Sequence, residues 1–235
     1  MGNTQNIVIL IFYTAIIYHV ASIMKAKDLS MPRYITFSGN GSKIVSILTL
    51  DTSSNGVLSE YTRKIFSKIY NTPFDSNGLG IKIAENPKIA TCKGGLSQPE
   101  EQTPSGVKSL RLILKSTDNK TFIVDEDYKS IIDNRDEYVN KTVQQVEEFF
   151  EFLFSLNGEF NLRDNFGIEH NSIDLAENIC YKDLKTYVNR GLDCKLKEVA
   201  PQDKVEETMF FYAISGVLHA LADEICNKNS VNSNN

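Results

Sequence analysis

The sequence predicts an α/β lobe followed by a mainly helical extension that carries a β-hairpin. Three observations predict it: an uncharged apolar run near the N-terminus, two short strand-like segments separated by helical patterns, and phenylalanine-rich amphipathic stripes in the second half. The chain has 235 residues, 41% of them hydrophobic, enough for one large core or two small ones. Its 25 basic and 30 acidic residues give a net charge of -5 and form no Lys/Arg block that would track a phosphate backbone. Nucleic acid is therefore not an expected partner.

Residues 7–24 carry no charge and are long enough to span a bilayer. Thr14, Tyr18 and Ser22 recur every four residues and share one helix face, which suits a helix buried in protein. A membrane span and a signal are the alternatives. A signal wants basic residues ahead of its apolar run, yet the first basic residue is Lys25. Asn6 stands where a myristoylation signal has Ser or Thr. The expected compartment is the cytoplasm, and a membrane is not an expected partner.

Pro32 blocks helix continuation, so residues 34–37 (YITF) read as a short strand ending in the turn Ser38-Gly39-Asn40-Gly41-Ser42. Residues 43–50 look helical and residues 51–55 break the pattern. A second helix covers residues 58–70, with Leu58, Tyr61, Ile65 and Ile69 on one face. Residues 80–84 (GIKIA) alternate like a strand. Asn86-Pro87 then supplies an N-cap and a preorganised first helical position for a short helix over residues 88–94. Residues 97–106, with two prolines and a glycine, read as a linker between a lobe of residues 1–96 and an extension of residues 107–235.

In the extension, residues 107–115 and 121–124 flank a turn and form a hairpin. Val143, Val146, Phe150 and Leu153 mark a helix, and residues 160–166 a turn-like connection. One helix is predicted over residues 173–187, stopping near Gly191, and another over residues 205–226, with Phe210, Ile214, Val217, Leu221 and Ile225 on its stripe. The tail 227–235 is polar.

The order of apolar helix, strand YITF, turn SGNGSK, two helices, strand GIKIA and NPKIATCKGG resembles the adenosine-side end of the actin, heat-shock chaperone and sugar kinase ATPase superfamily. The matching residues are Gly39, Asn40, Gly41, Ser42 and Lys43, then Asn86, Pro87, Gly94 and Gly95. The resemblance implies a partial actin-like (ribonuclease H-like) lobe whose glycine turn approaches ATP, with Lys43 against the adenine. Asn40 departs from the family's second glycine. A glycine turn at the carboxyl end of a strand does let backbone N–H groups reach phosphate or ribose. Its structural alternative is a tight strand-to-helix turn with no ligand.

The superfamily places Mg²⁺ and the γ-phosphate with Asp-x-Gly loops, and the chain contains no such triplet. The implied function is thus the nucleotide-binding C-terminal portion of an actin-like ATPase, not catalytic alone. Mg²⁺ would be held mainly by residues outside this chain, and the partner would be the remainder of the ATPase or another protein. The alternative is a non-enzymatic helical interaction module whose glycine turn is purely structural.

Other constellations carry less chemistry. His19 and His219 fall in apolar helices and His170 in a polar loop, so no triad is expected. Cys92, Cys180, Cys194 and Cys226 lack the paired spacing of zinc sites and read as reduced thiols. No metal ligand or catalytic residue is assigned. Acidic clusters at residues 125–127 and 147–148 suit a turn and a solvated helix face. The phenylalanines of residues 149–154 and the MFFY run 209–212 are expected to pack on one another.

Overall fold

The computed structural model describes residues 5–38, 42, 44–49, 56–73, 79–83, 112–115, 121–124, 127–201, 203 and 208–232, with residues 112–115 and 121–124 described by their backbone. The elements in chain order are α1 (Gln5–Ala26), β1 (Tyr34–Phe37), α2 (Val45–Leu48), α3 (Val57–Tyr70), β2 (Gly80–Ile83), β3 (Leu112–Lys115) and β4 (Thr121–Val124). They continue with α4 (Tyr128–Asp133), α5 (Arg135–Phe160), α6 (Leu162–Phe166), α7 (His170–Cys180), α8 (Leu184–Lys195) and α9 (Phe210–Asn232).

The centre of the fold is α1. Its 22 residues contain neither Gly nor Pro, and half of them are buried, including Ile7, Leu10, Ile11, Ala15, Ile17 and Ala21. Helices α2, α3, α5, α7 and α9 and strand β4 pack around it. By length and composition α1 is also long and apolar enough to cross a membrane. Here its apolar side chains enter a core cluster that includes residues from α1 through α9. Burying each Ile or Leu of that set stabilises the fold by about 1.5–3 kcal/mol.

Short polar side chains end the helices. Asp28 adopts φ 53° while its N–H donates to the Lys25 carbonyl at 3.0 Å and that of Leu29 to the Met24 carbonyl at 2.9 Å. Asn71, at φ 54°, closes α3 in the same way, with the N–H of Thr72 on the Ser67 carbonyl at 3.2 Å. Both are Schellman endings in which Asp or Asn takes the left-handed position that glycine usually holds.

The expected α/β lobe does not form. Among the described residues the only parallel sheet has two strands, β1 and β2, and the fold is mostly helical. The physical reason lies in α1. In a lobe it would cover the face of a broad sheet, but strands of four residues each cover too little of it. Helices α5, α7 and α9 of the expected extension surround it instead. The core cluster therefore draws side chains from both 1–96 and 107–235; the expected linker, residues 97–106, lies outside the described residues.

Several boundaries also differ from expectation. The helix expected over residues 173–187 is two helices, because Asp183 at φ 55° breaks the chain between α7 and α8. Gly191 sits inside α8 and does not end it. The turn-like 160–166 segment contains the short helix α6, which begins where the Asn161 side chain accepts from the Asp164 N–H at 3.3 Å. Strands β3 and β4 pair antiparallel as the predicted hairpin, Leu112 opposite Val124.

Ion pairs bind the outer helices. Glu159 of α5 meets Lys64 at 2.9 Å and Lys68 at 2.5 Å on α3, and these two lysines hold its carboxyl below the usual range. Arg135 of α5 reaches Asp193 at 2.7 Å and the Asn189 side chain at 2.8 Å on α8.

Candidate functional site

Three places bring chemistry together: the carboxyl end of the β1–β2 sheet, a polar seam inside the core, and a groove between α8 and α9. At the first, β1 and β2 run parallel with Tyr34 opposite Gly80 and Phe37 opposite Ile83. Alternation then divides the sheet. Ile35, Phe37, Ile81 and Ile83 pack on the core, with the Phe37 ring 5.8 Å from that of Tyr13. Tyr34 and Thr36 face outward, and the Lys82 ammonium lies 3.9 Å from the centre of the Tyr34 ring.

Of the five residues predicted to meet a nucleotide, Ser42 is described, and it is 2% exposed. Gly39, Asn40, Gly41 and Lys43 lie outside the described residues, as do Asn86, Pro87, Gly94 and Gly95. What the structure does fix is the origin of both segments. They follow strands whose carboxyl ends lie side by side.

The polar seam joins α1 to α3. Both helices carry the dipeptide Tyr-Thr, at residues 13–14 and 61–62. Thr14 donates to the Leu10 carbonyl at 2.7 Å and Thr62 to the Leu58 carbonyl at 2.7 Å. Each threonine hydroxyl has one proton, so each must accept from the tyrosine opposite. Tyr61 donates to Thr14 at 2.8 Å, and Tyr13 donates to Thr62 at 2.6 Å. Burial pushes both phenols well above their usual range. They are structural donors, not proton carriers.

Two further polar groups enter the core. The Asn6 amide donates to the Phe166 carbonyl at 2.8 Å, tying α1 to the end of α6, while its carbonyl oxygen has no partner among the described residues. His19, 6% exposed, stacks on Phe210 at 5.2 Å and meets the edge of Phe211 at 5.2 Å. Its Nδ1 has no hydrogen-bond partner among the described residues, and burial lowers its pKa to about 4. Beside it, Tyr18 packs on Phe149 and Phe210; burial and the Glu148 charge push its phenol up to about 12.

The groove between α8 and α9 has a volume near 750 Å³. Its floor is a reciprocal fit. A Cβ on Gly191 would stand 2.5 Å from Tyr212, and one on Gly216 would stand 2.3 Å from Tyr187. Each tyrosine thus lies in the space that the other helix's glycine leaves open. Arg190, Cys194, Ser215, His219 and Asp223 form an exposed rim. His219 Nδ1 lies 2.7 Å from the Ser215 carbonyl of its own helix.

The remaining candidates resolve into structure. Phe149 meets Phe210 edge to face at 5.5 Å, so the two aromatic runs pack on each other. Asp127 caps α4 through the Ser130 N–H at 2.8 Å. Cys180 is buried, which raises its thiol pKa, while Cys194 and Cys226 are exposed. Cys92 and the His170 side chain lie outside the described residues. Among the described residues no group of three or more His, Cys, Asp or Glu is placed to hold a metal ion.

Sequence reasoning missed both reciprocal contacts. The repeated Tyr-Thr dipeptide on two apolar helix faces was a visible signal for the first. Gly191 suggested a helix end, and nothing local marked it as a seat for a tyrosine. Comparison of the chain with protein-family models, with curated proteins and with solved structures finds no match.

Proposed function

We propose that the chain contributes one side of an ATP site at the carboxyl end of β1 and β2 and does not catalyse hydrolysis alone. The observation that carries this reading is the parallel register of β1 and β2, with α2 and α3 in the crossover. In open parallel sheets, ligands bind beyond the carboxyl ends of the strands. Gly39, Asn40, Gly41, Ser42 and Lys43 follow β1 at that end, and Asn86-Pro87 follows β2. Mg²⁺ and the γ-phosphate would be held by another part of the protein or by a partner chain. A cytoplasmic setting, where thiols stay reduced, suits Cys194 and Cys226.

The test is fluorescence polarisation of a labelled ATP analogue with the whole chain, with and without Mg²⁺. Saturable binding is expected, with little dependence on Mg²⁺, and Lys43→Ala and Gly39→Val should abolish it without shifting the melting temperature. Binding that both variants retain would overturn the reading, as would no binding at millimolar analogue. The second reading, a helical interaction module with a purely structural glycine turn, is favoured by the α8–α9 groove and predicts that negative result.

A further inference from the structure

The α8–α9 groove has a charge pattern that fits a copy of itself. Tyr187 sits on Gly216 and Gly191 on Tyr212, so α8 and α9 run antiparallel. By that pairing Arg190 lies level with Ala213 of α9, and Cys194 lies level with Met209. Asp223 lines the opposite end of the groove. From Ala213 to Asp223 the helix rises about 15 Å, so the groove lining runs along nearly three turns of α9, a length over which a second helix can lie. Arg190 and Asp223 are both exposed, and neither makes an ion pair or hydrogen bond among the described residues. One unpaired cation and one unpaired anion at opposite ends of a single groove form a self-complementary set.

We propose that this groove is the interface of a homodimer, in which α9 of a second copy lies antiparallel along it. A two-fold axis near Leu218 brings Arg190 of each copy to Asp223 of the other, satisfying both charges twice with one operation. The same axis sets Cys194 of one copy beside Cys226 of the other. Both are exposed. The interface draws its residues from α8 and α9 and none from β1 or β2.

The experiment is light scattering of the full chain across concentrations, joined to oxidative crosslinking. The unmodified protein is expected to dimerise. Arg190→Asp and Asp223→Arg should each weaken the dimer about a hundredfold, since each change places like charges together at two symmetric points. The double variant Arg190→Asp/Asp223→Arg should restore it. Mild oxidation should link Cys194 to Cys226 between copies, identified by mass spectrometry of the joined peptides. Circular dichroism checks that the variants fold, as these exposed positions predict. A protein that stays monomeric up to about 100 μM, a dimer indifferent to both single reversals, a double variant that stays monomeric, or a dominant Cys194–Cys194 link would each overturn the proposal.

Discussion

Two helix crossings in this molecule are closed by reciprocal tyrosine contacts, and they do it by opposite means. Between α1 and α3, each tyrosine donates its hydroxyl to a threonine of the facing helix, deep in the core. Between α8 and α9, each tyrosine fits its ring over a glycine of the facing helix, at the floor of an open groove. The first crossing is set by directional bonds in a place where an unmade bond is costly. The second is set by shape, a ring seated where the facing helix has no side chain. The difference teaches where this fold tolerates change: the α1–α3 seam tolerates altered volume poorly and altered polarity worse, while the α8–α9 crossing is intolerant of one added carbon at its floor.

The largest effect should come from that one carbon. Gly191→Ala and Gly216→Ala are each expected to destabilise the protein by about 3 kcal/mol, because the new Cβ meets a ring held by a neighbouring backbone. Chemical denaturation measures it. Tyr187→Gly should recover part of the Gly216→Ala loss, since it removes both the ring and the Cβ that would stand 2.6 Å from the new carbon, and Tyr212→Gly should do the same for Gly191→Ala, where the Tyr212 Cβ would stand 2.5 Å away. Additive losses in either pair would show that the close crossing is not what sets α8 against α9.

His19 sharpens the comparison from the side of charge, because it is a polar group in the core beside α9 without the bond that α1 and α3 give their threonines. Its folded pKa of about 4 lies below the ordinary value of 6.5. Between those values the unfolded chain binds a proton that the folded chain refuses. Stability from this group is therefore full above pH 6.5, falls as pH drops toward 4, and is level below. The span is about 3 kcal/mol at its limit. His19→Leu should flatten that part of the profile, measured as the difference between the two proteins so that the carboxylates common to both cancel. Identical pH slopes would mean that His19 reaches water in the folded state.

Local patterns made part of this legible. Strand YITF, the hairpin, the helix over α3 and the core character of α1 all follow from periodicity and breakers read over a dozen residues. The lobe did not follow. In an α/β lobe α1 would rest on a sheet, and the choice between a sheet and the helices α5, α7 and α9 as its cover is made by residues more than a hundred positions away. Gly191 misled for a related reason. A glycine near a helical stretch signals an end when only local geometry is weighed, whereas this one is retained inside α8 because Tyr212 occupies the space beside it. The split at Asp183 was hidden too: Asp takes left-handed backbone more readily than most residues, but non-glycine residues do so in only a few per cent of cases, so one Asp inside a helical pattern does not mark a break. The turn 39–43 could be read as a motif, but its chemistry depends on what faces it, and only Ser42 among those residues is described.

The α1–α3 seam yields the smallest and most diagnostic prediction. Tyr61→Phe removes a donor, and Thr14 keeps its bond to the Leu10 carbonyl, so the loss should be about 1 kcal/mol. Thr14→Val keeps the shape but leaves the Tyr61 hydroxyl buried with no acceptor, and this should cost about 2 to 3 kcal/mol. The two partners of one hydrogen bond are thus expected to differ. In the double variant both polar groups are gone and the volume is kept, so the total should fall below that of Thr14→Val alone. Thr62→Val and Tyr13→Phe repeat the test at the reciprocal pair, where the same inequality is expected because Thr62 likewise holds the Leu58 carbonyl. If Tyr61→Phe costs as much as Thr14→Val, the proton does not run from tyrosine to threonine. The threonine would then be donating across the seam, and its bond to its own helix would be the weaker of its two contacts.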